Sequence, residues 1–212
     1  MQRISIAGAF SICKVNFLLA VRANVLLAAA YLLTIPLLRG IANLDMVHSA
    51  ECLEQSVILV GIFLIVPLNV PEQSTAIQEV VYTRNISHRN ILLLRVAMST
   101  LVLIMMIGLF SGIMIWKNCT FPFLAYAAGT VISALALGSL GFAVSVWSNC
   151  AMVGYLASVG YFLLNFLGNV SEKNIFYLFS MEKGNYTTKI YLLGCSLLMI
   201  AASLIYSRRK KY

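Results

Sequence analysis

Charged side chains are scarce in this chain, at 10% of its 212 residues, against about 25% in a typical soluble domain. Hydrophobic residues make up 61%, and the mean hydropathy is +0.91. Apolar runs recur along the whole length, so the composition excludes a water-soluble domain and predicts a polytopic membrane protein. The first residues do not resemble a cleaved signal peptide, because Lys14 and Arg22 interrupt the apolar run and no small-x-small cleavage site follows.

Motifs for catalysis and nucleotide binding are also missing. No GxxxxGK followed by Ser or Thr occurs, which excludes a P-loop, and neither GxSxG nor HExxH is present. The five cysteines show no CxxC spacing, which argues against a redox centre or a zinc site. The predicted spans hold almost no ionisable residue, only Arg95 and, just past the first span, Arg39. We therefore expect no catalytic residue, metal site or cofactor in this chain.

Six apolar stretches are long enough, with their flanks, to be read as membrane-spanning helices, because a lone strand leaves its backbone unsatisfied in lipid. The predicted fold class is therefore all-α, a single transmembrane domain with six spans. The spans cover residues 24–38, 56–70, 91–115, 123–146, 151–167 and 190–206. Small residues spaced i, i+4 in the fourth span, at Ala134 and Gly138 and at Ser139 and Ala143, predict that it packs inside the bundle.

The basic residues predict the orientation. Of the 15 lysines and arginines, ten fall on one side and five on the other if the N terminus is cytoplasmic. This bias and the even number of spans place both termini in the cytoplasm. The net charge of +8 is then a topology signal, and it predicts no nucleic-acid partner.

Two connecting segments have helical or apolar patterns of their own. Residues 4–22 show helical spacing of apolar residues around Lys14, which predicts an interfacial helix or the start of a longer first span. Residues 168–188 form an outer connection whose apolar stretch IFYLF is too short to span, which predicts a re-entrant or interfacial element.

The most conspicuous polar element is TAIQEVVYTRNISHRNILLLR, residues 75–95, between the second and third spans. Residues 74–84 read as a short cytoplasmic helix tied to both spans. Its candidate contact residues are an N-capping serine, two apolar or aromatic side chains and three polar or charged ones: Ser74, Ile77, Gln78, Glu79, Tyr82 and Arg84. Force applied to such a helix would move both spans as a unit.

This arrangement resembles the membrane subunit of ABC transporters of the type-2 permease family, also called type V exporters, over nearly the whole chain. FSICKVNFLLAVRANVLLAAAYLLTIPLL looks like the family's interfacial helix and first span. PEQSTAIQEVVYTRNISHRNILLLRVAMSTLVLIMM looks like its coupling helix and third span. NIFYLFSMEKGNYTTKIYLLGCSLLMIAASLIYSRRKKY looks like its outer helical hairpin, last span and basic tail. One departure is Ile86-Ser87-His88, where family members often have a proline.

The resemblance implies a permease subunit of an ATP-driven exporter in the bacterial cytoplasmic membrane, surrounded by lipid. Two permease chains, identical or sister chains, would sit on a dimer of ABC ATPase subunits that bind ATP and Mg²⁺. Residues 74–84 would dock in the ATPase, and Arg89 and Arg95 would transmit its motion; the alternatives are an ordinary helical loop and an arginine that reaches the headgroups. The substrate class stays open among peptides, antibiotics and lipids.

Three further residues are weighed individually. Cys52 and Cys119 fall on the same outer side, where they form either a disulfide or two free thiols. Asn165 either lines a substrate path or hydrogen-bonds to a neighbouring helix. A rival function is a non-transporting immunity or sensor protein that binds a peptide on the acidic segment LDMVHSAECLEQS, residues 44–56.

Overall fold

The computed structural model describes residues 17–73, 88–168, 174, 176–181, 184 and 186–209. Within these ranges the chain is all-helical and contains no strand, which confirms the all-α part of the predicted fold class. The main helices are α1, Arg22–Arg39; α2, Met46–Pro71; α3, His88–Trp116; α4, Phe123–Ser148; α5, Ala151–Leu167; and α6, Thr187–Arg209.

Five of these helices, all except α5, are long and apolar enough to cross a membrane. The chain therefore has the architecture of a multi-pass membrane protein. α5 is apolar throughout but has 17 residues, which corresponds to about 25 Å at 1.5 Å per residue. The hydrocarbon core of a bilayer is about 30 Å thick, so α5 is short by that measure.

Helix α2 is longer and less regular than the sequence predicts. It begins at Met46, where Asp45 caps it by accepting a hydrogen bond from the His48 amide, well before the predicted start at residue 56. Along its length, α-helical turns alternate with π and 3₁₀ segments. The segments are Met46–Glu51 (α), Cys52–Ser56 (π), Val57–Leu59 (3₁₀), Val60–Ile65 (α) and Val66–Gln73 (3₁₀). The last one contains Pro67, which cannot donate to the helical ladder.

Helix α4 lies at the centre and packs against α2, α3, α5 and α6. Glycines at two crossings permit close approach. A Cβ at Gly61 of α2 would lie 2.1 Å from the Ala134 carbonyl oxygen, and a Cβ at Gly154 of α5 would lie 2.4 Å from the Gly141 carbonyl oxygen. The predicted interior position of the fourth span is therefore correct, for the reason that its small residues gave.

The connections between helices are tied to one another. The α1–α2 connection bonds to the α3–α4 connection through Asn43 N to Lys117 O, 3.0 Å, and Thr120 N to Leu44 O, 3.0 Å. Of the predicted interfacial helix 4–22, residues 4–16 lie outside the described part. Residues Phe17–Val21 form a π-helical turn that continues into α1.

Candidate functional site

A buried polar cluster occupies the interior of the bundle between α2, α4 and α6. Its centre is an ion pair between Glu54 of α2 and Lys189 of α6, with 2.6 Å from Lys189 Nζ to Glu54 Oε1. The Glu54 and Lys189 side chains are only 1% and 2% exposed. Lys189 Nζ also donates to Ser133 Oγ of α4 at 2.6 Å. The ammonium thus contacts acceptors from two other helices, as a buried charge requires.

The cluster lies well inside α2 and α4 and at the first turn of α6, of which Lys189 is the third residue. Ser133 follows the first residue of α4 by ten positions, about 15 Å along the axis, and Glu54 follows the first residue of α2 by eight, about 12 Å. Glu54 stands in the π-helical turn Cys52–Ser56. Such turns change the direction in which side chains leave a helix and occur frequently at functional sites.

Most of the remaining hydrogen bonds of the cluster go to the backbone of residues 176–181, which we call the strap. Glu54 accepts from the Met181 amide at 3.0 and 3.2 Å through its two carboxylate oxygens. Lys189 Nζ donates to the Leu178 carbonyl at 2.7 Å, and Ser133 Oγ lies 3.4 Å from the same oxygen. The bundle's charged side chains therefore bind main-chain groups of a non-helical segment.

Helix α5 binds the same strap from the other side. Asn165 Oδ1 accepts from the Leu178 amide at 3.2 Å, and Asn165 Nδ2 donates to the Tyr161 carbonyl at 2.9 Å. The Tyr161 hydroxyl donates to the Phe176 carbonyl. Non-helical backbone inside a membrane protein must have its polar groups satisfied by protein, and here four helices share that task.

The strap also buries its apolar side chains. Leu178 and Met181 are almost fully buried, and Phe179 packs edge-on against Phe162 and Phe166 of α5 with ring centroids 5.8 and 6.3 Å apart. The Met181 sulfur lies 2.3 Å from the position that a Cβ at Gly129 would occupy. Residues 176–179 of the predicted apolar element IFYLF are thus partly inside the bundle, and the described residues between α5 and α6 form no helix.

The acidic segment 44–56 is not a free loop. It is the first part of α2, and Cys52, Leu53 and Glu54 in it are buried. Asp45 is exposed, and its hydrogen bond from the His48 side chain lowers the pKa of Asp45 below its ordinary value. The segment therefore divides into an exposed cap and a buried charge, instead of forming one acidic surface.

The structure places the other predicted residues as follows. Arg95 of α3 is buried, and its Nη1 donates to the Leu68 carbonyl of α2 at 3.3 Å, so it contacts protein rather than headgroups. Arg89 lies in the first turn of α3. Cys52 and Cys119 are both buried free thiols. The predicted coupling residues lie outside the described part: Ser74, Ile77, Gln78, Glu79, Tyr82 and Arg84.

The sequence reasoning that the bundle holds almost no ionisable side chain is wrong for Glu54 and Lys189. Both lie outside the predicted spans, since Glu54 precedes the span 56–70 by two residues and Lys189 precedes the span 190–206 by one. A signal was present: two opposite charges, each next to the first residue of a predicted span and both on the same predicted side. Among the described residues, no group of three or more His, Cys, Asp or Glu side chains is placed to hold a metal ion.

Comparison of the chain with protein-family models, with curated proteins and with solved structures gives no match.

Proposed function

We propose that this chain is the permease subunit of an ATP-driven ABC exporter of the bacterial cytoplasmic membrane, with six spans and both termini in the cytoplasm. The single observation that carries the proposal is the buried bond from Arg95 to the Leu68 carbonyl. It joins α2 and α3, the two helices that flank the predicted coupling helix 74–84. A push on that helix would therefore reach both spans together.

Counting α5 as the sixth span is supported by its composition. It contains no Asp, Glu, Lys or Arg, and it packs along α4 and against the last segment of α2. A hydrophobic stretch a few ångströms shorter than the bilayer is accommodated by local thinning at modest cost. An even number of spans agrees with the distribution of basic residues.

The partners follow from what the chain lacks. With no phosphate-binding motif of its own, an exporter of this kind needs a separate ATPase that binds ATP and Mg²⁺. We propose an ABC ATPase dimer and a second permease chain, identical or a sister. In this arrangement Arg89 and Arg95 carry movement from the ATPase into α3.

The test is purification of the tagged chain from its own cells in mild detergent, followed by mass spectrometry and an ATPase assay. We expect a stoichiometric ABC ATPase, lost in a Glu79→Ala, Arg84→Ala variant. The matched control is Lys117→Ala, an exposed basic residue in the α3–α4 connection, which should retain the ATPase. An Arg95→Met variant should keep the ATPase bound but lose transport.

Recovery of the chain alone, under conditions that preserve other ABC complexes, would reject the exporter. The rival is an immunity or sensor protein that binds a peptide. Glu54 in residues 44–56 is buried, which argues against this segment as the peptide-binding surface of the rival protein.

A further inference from the structure

We infer that the groove filled by the strap is a peptide-binding site, which the chain occupies with its own residues 176–181 and which accepts a non-helical apolar peptide when the strap leaves. This inference names the substrate class within the proposed function and depends on it for its biological role. The groove itself is defined by contacts that do not involve an ATPase.

The bundle recognises main-chain groups of the strap. Glu54, Lys189 and Asn165 bind the strap through backbone atoms alone: the amide of Met181, the carbonyl of Leu178 and the amide of Leu178. Recognition of main-chain groups tolerates many side-chain sequences, as when peptides are bound by addition to a sheet edge. A helical peptide has these groups already paired, so the ligand must be non-helical.

An empty groove would leave two buried charges with fewer hydrogen-bond partners. Departure of the strap leaves Glu54 without the Met181 amide and Lys189 without the Leu178 carbonyl, while both charges stay inside the bundle. Buried charges that lose hydrogen-bond partners are strongly disfavoured. A lipid chain or a hydrocarbon cannot replace those partners, whereas a peptide supplies an N–H and a C=O at each residue.

The apolar wall of the groove fits particular side chains of the strap. Phe162 and Phe166 hold the ring of Phe179 edge-on, and Gly129 leaves room for the Met181 side chain. The groove therefore favours a large apolar side chain next to the bound amide and a flexible one two residues later. Just beyond the strap, Gly184 has a φ of 69°, a conformation that glycine adopts without strain, and its amide donates to the Met181 carbonyl.

The probe is a synthetic peptide with the strap sequence FYLFSM, flanked by lysines for solubility, with a photoreactive leucine at its third position. It is added to the purified full-length chain in lipid nanodiscs. We expect saturable cross-linking to α4 and α5 near Ser133 and Asn165, mapped by mass spectrometry. A second peptide carries N-methyl groups on the two amides that correspond to Leu178 and Met181. It should bind roughly tenfold more weakly or worse, because it lacks both donors.

Competition by the strap is tested with Leu178→Ala, which removes a buried strap side chain and leaves every groove residue unchanged. This variant should bind the probe at least several-fold more tightly than the unchanged chain. Met181→Ala serves as a second variant, and thermal unfolding of both shows whether the bundle is intact. Equal binding of the N-methylated peptide, cross-links that do not saturate, or no gain in either folded variant would overturn the inference.

The two proposals fail in distinguishable ways. A chain that co-purifies with an ATPase but binds neither peptide leaves the exporter in place and rejects the groove. A chain that binds the probe through its amides but has no ATPase keeps the groove and moves the function to a peptide sensor or immunity protein.

Discussion

Helix α4 contacts its neighbours by opposite means along its length. At Ala134 and Gly141 it meets α2 and α5 backbone to backbone, through glycines that leave no room for a side chain. One residue before Ala134, Ser133 takes part in a network of charges and hydrogen bonds that surrounds the strap. The glycine crossings depend mainly on shape, with one hydrogen bond from Ser158 of α5 to the Leu137 carbonyl of α4. The network depends on a match of charge between α2 and α6. We expect the two regions to respond differently to substitution.

The largest effect is expected from breaking the ion pair on one side only. Lys189→Met should destabilise the protein by about 3–5 kcal/mol, because it leaves a buried carboxylate without its counter-ion. Thermal and chemical unfolding in detergent, followed by tryptophan fluorescence, measures the loss. The double variant Glu54→Gln, Lys189→Met removes both charges and should recover a large part of it. A double variant that is as unstable as the sum of its two single variants would mean that the charges do not interact.

A smaller loss is expected at the glycine crossing. Gly61→Ala places a Cβ 2.1 Å from a backbone oxygen of α4, so the helices must separate, at a cost of about 2–3 kcal/mol. Gly112→Ala in α3 is the matched control, because nothing lies within 4 Å of the added carbon. Equal stability of the two variants would show that α2 and α4 are not in close contact at Gly61.

Asn165 separates the role of the strap from that of the ion pair. Asn165→Ala removes the acceptor for the Leu178 amide and should cost about 1–2 kcal/mol, while Glu54 and Lys189 stay paired. Hydrogen exchange of the strap amides should accelerate in this variant. Ser139→Ala is the control, since the Ser139 hydroxyl bonds only within its own helix, to Ala136. Unchanged exchange in Asn165→Ala would argue that Asn165 does not hold the strap.

The smallest effect is expected for the cysteines, whose reactivity should differ with exposure and can be measured without changing the sequence. In the folded chain a bulky water-soluble maleimide should label the exposed Cys150 and leave Cys52 and Cys119 unmodified. After denaturation without reductant, both buried cysteines should react. Failure to react until a reductant is added would reveal a disulfide between them.

The interior position of α4 was predictable from its small residues, whereas its glycine partners on α2 and α5 and the buried network were not. Small residues spaced i, i+4 define a helix face, and a face is a local property that a periodic pattern records. The Glu54–Lys189 pair joins positions 135 residues apart, and nothing local specifies which charge meets which. Six apolar stretches were recognised for the same reason as the small-residue face of α4. The inward position of the strap, by contrast, depends on side chains from four helices.

The long separation of Glu54 and Lys189 in sequence has a consequence for biosynthesis. A ribosome completes α2 long before it makes the start of α6. During this interval Glu54 is already part of the chain, whereas Lys189 has not yet been synthesised. A chain released before α6 would leave Glu54 without its counter-ion, and we expect such a chain to be less stable than the complete one. Helix α6 therefore supplies the counter-ion of Glu54, and the buried pair can form only after this helix has been made.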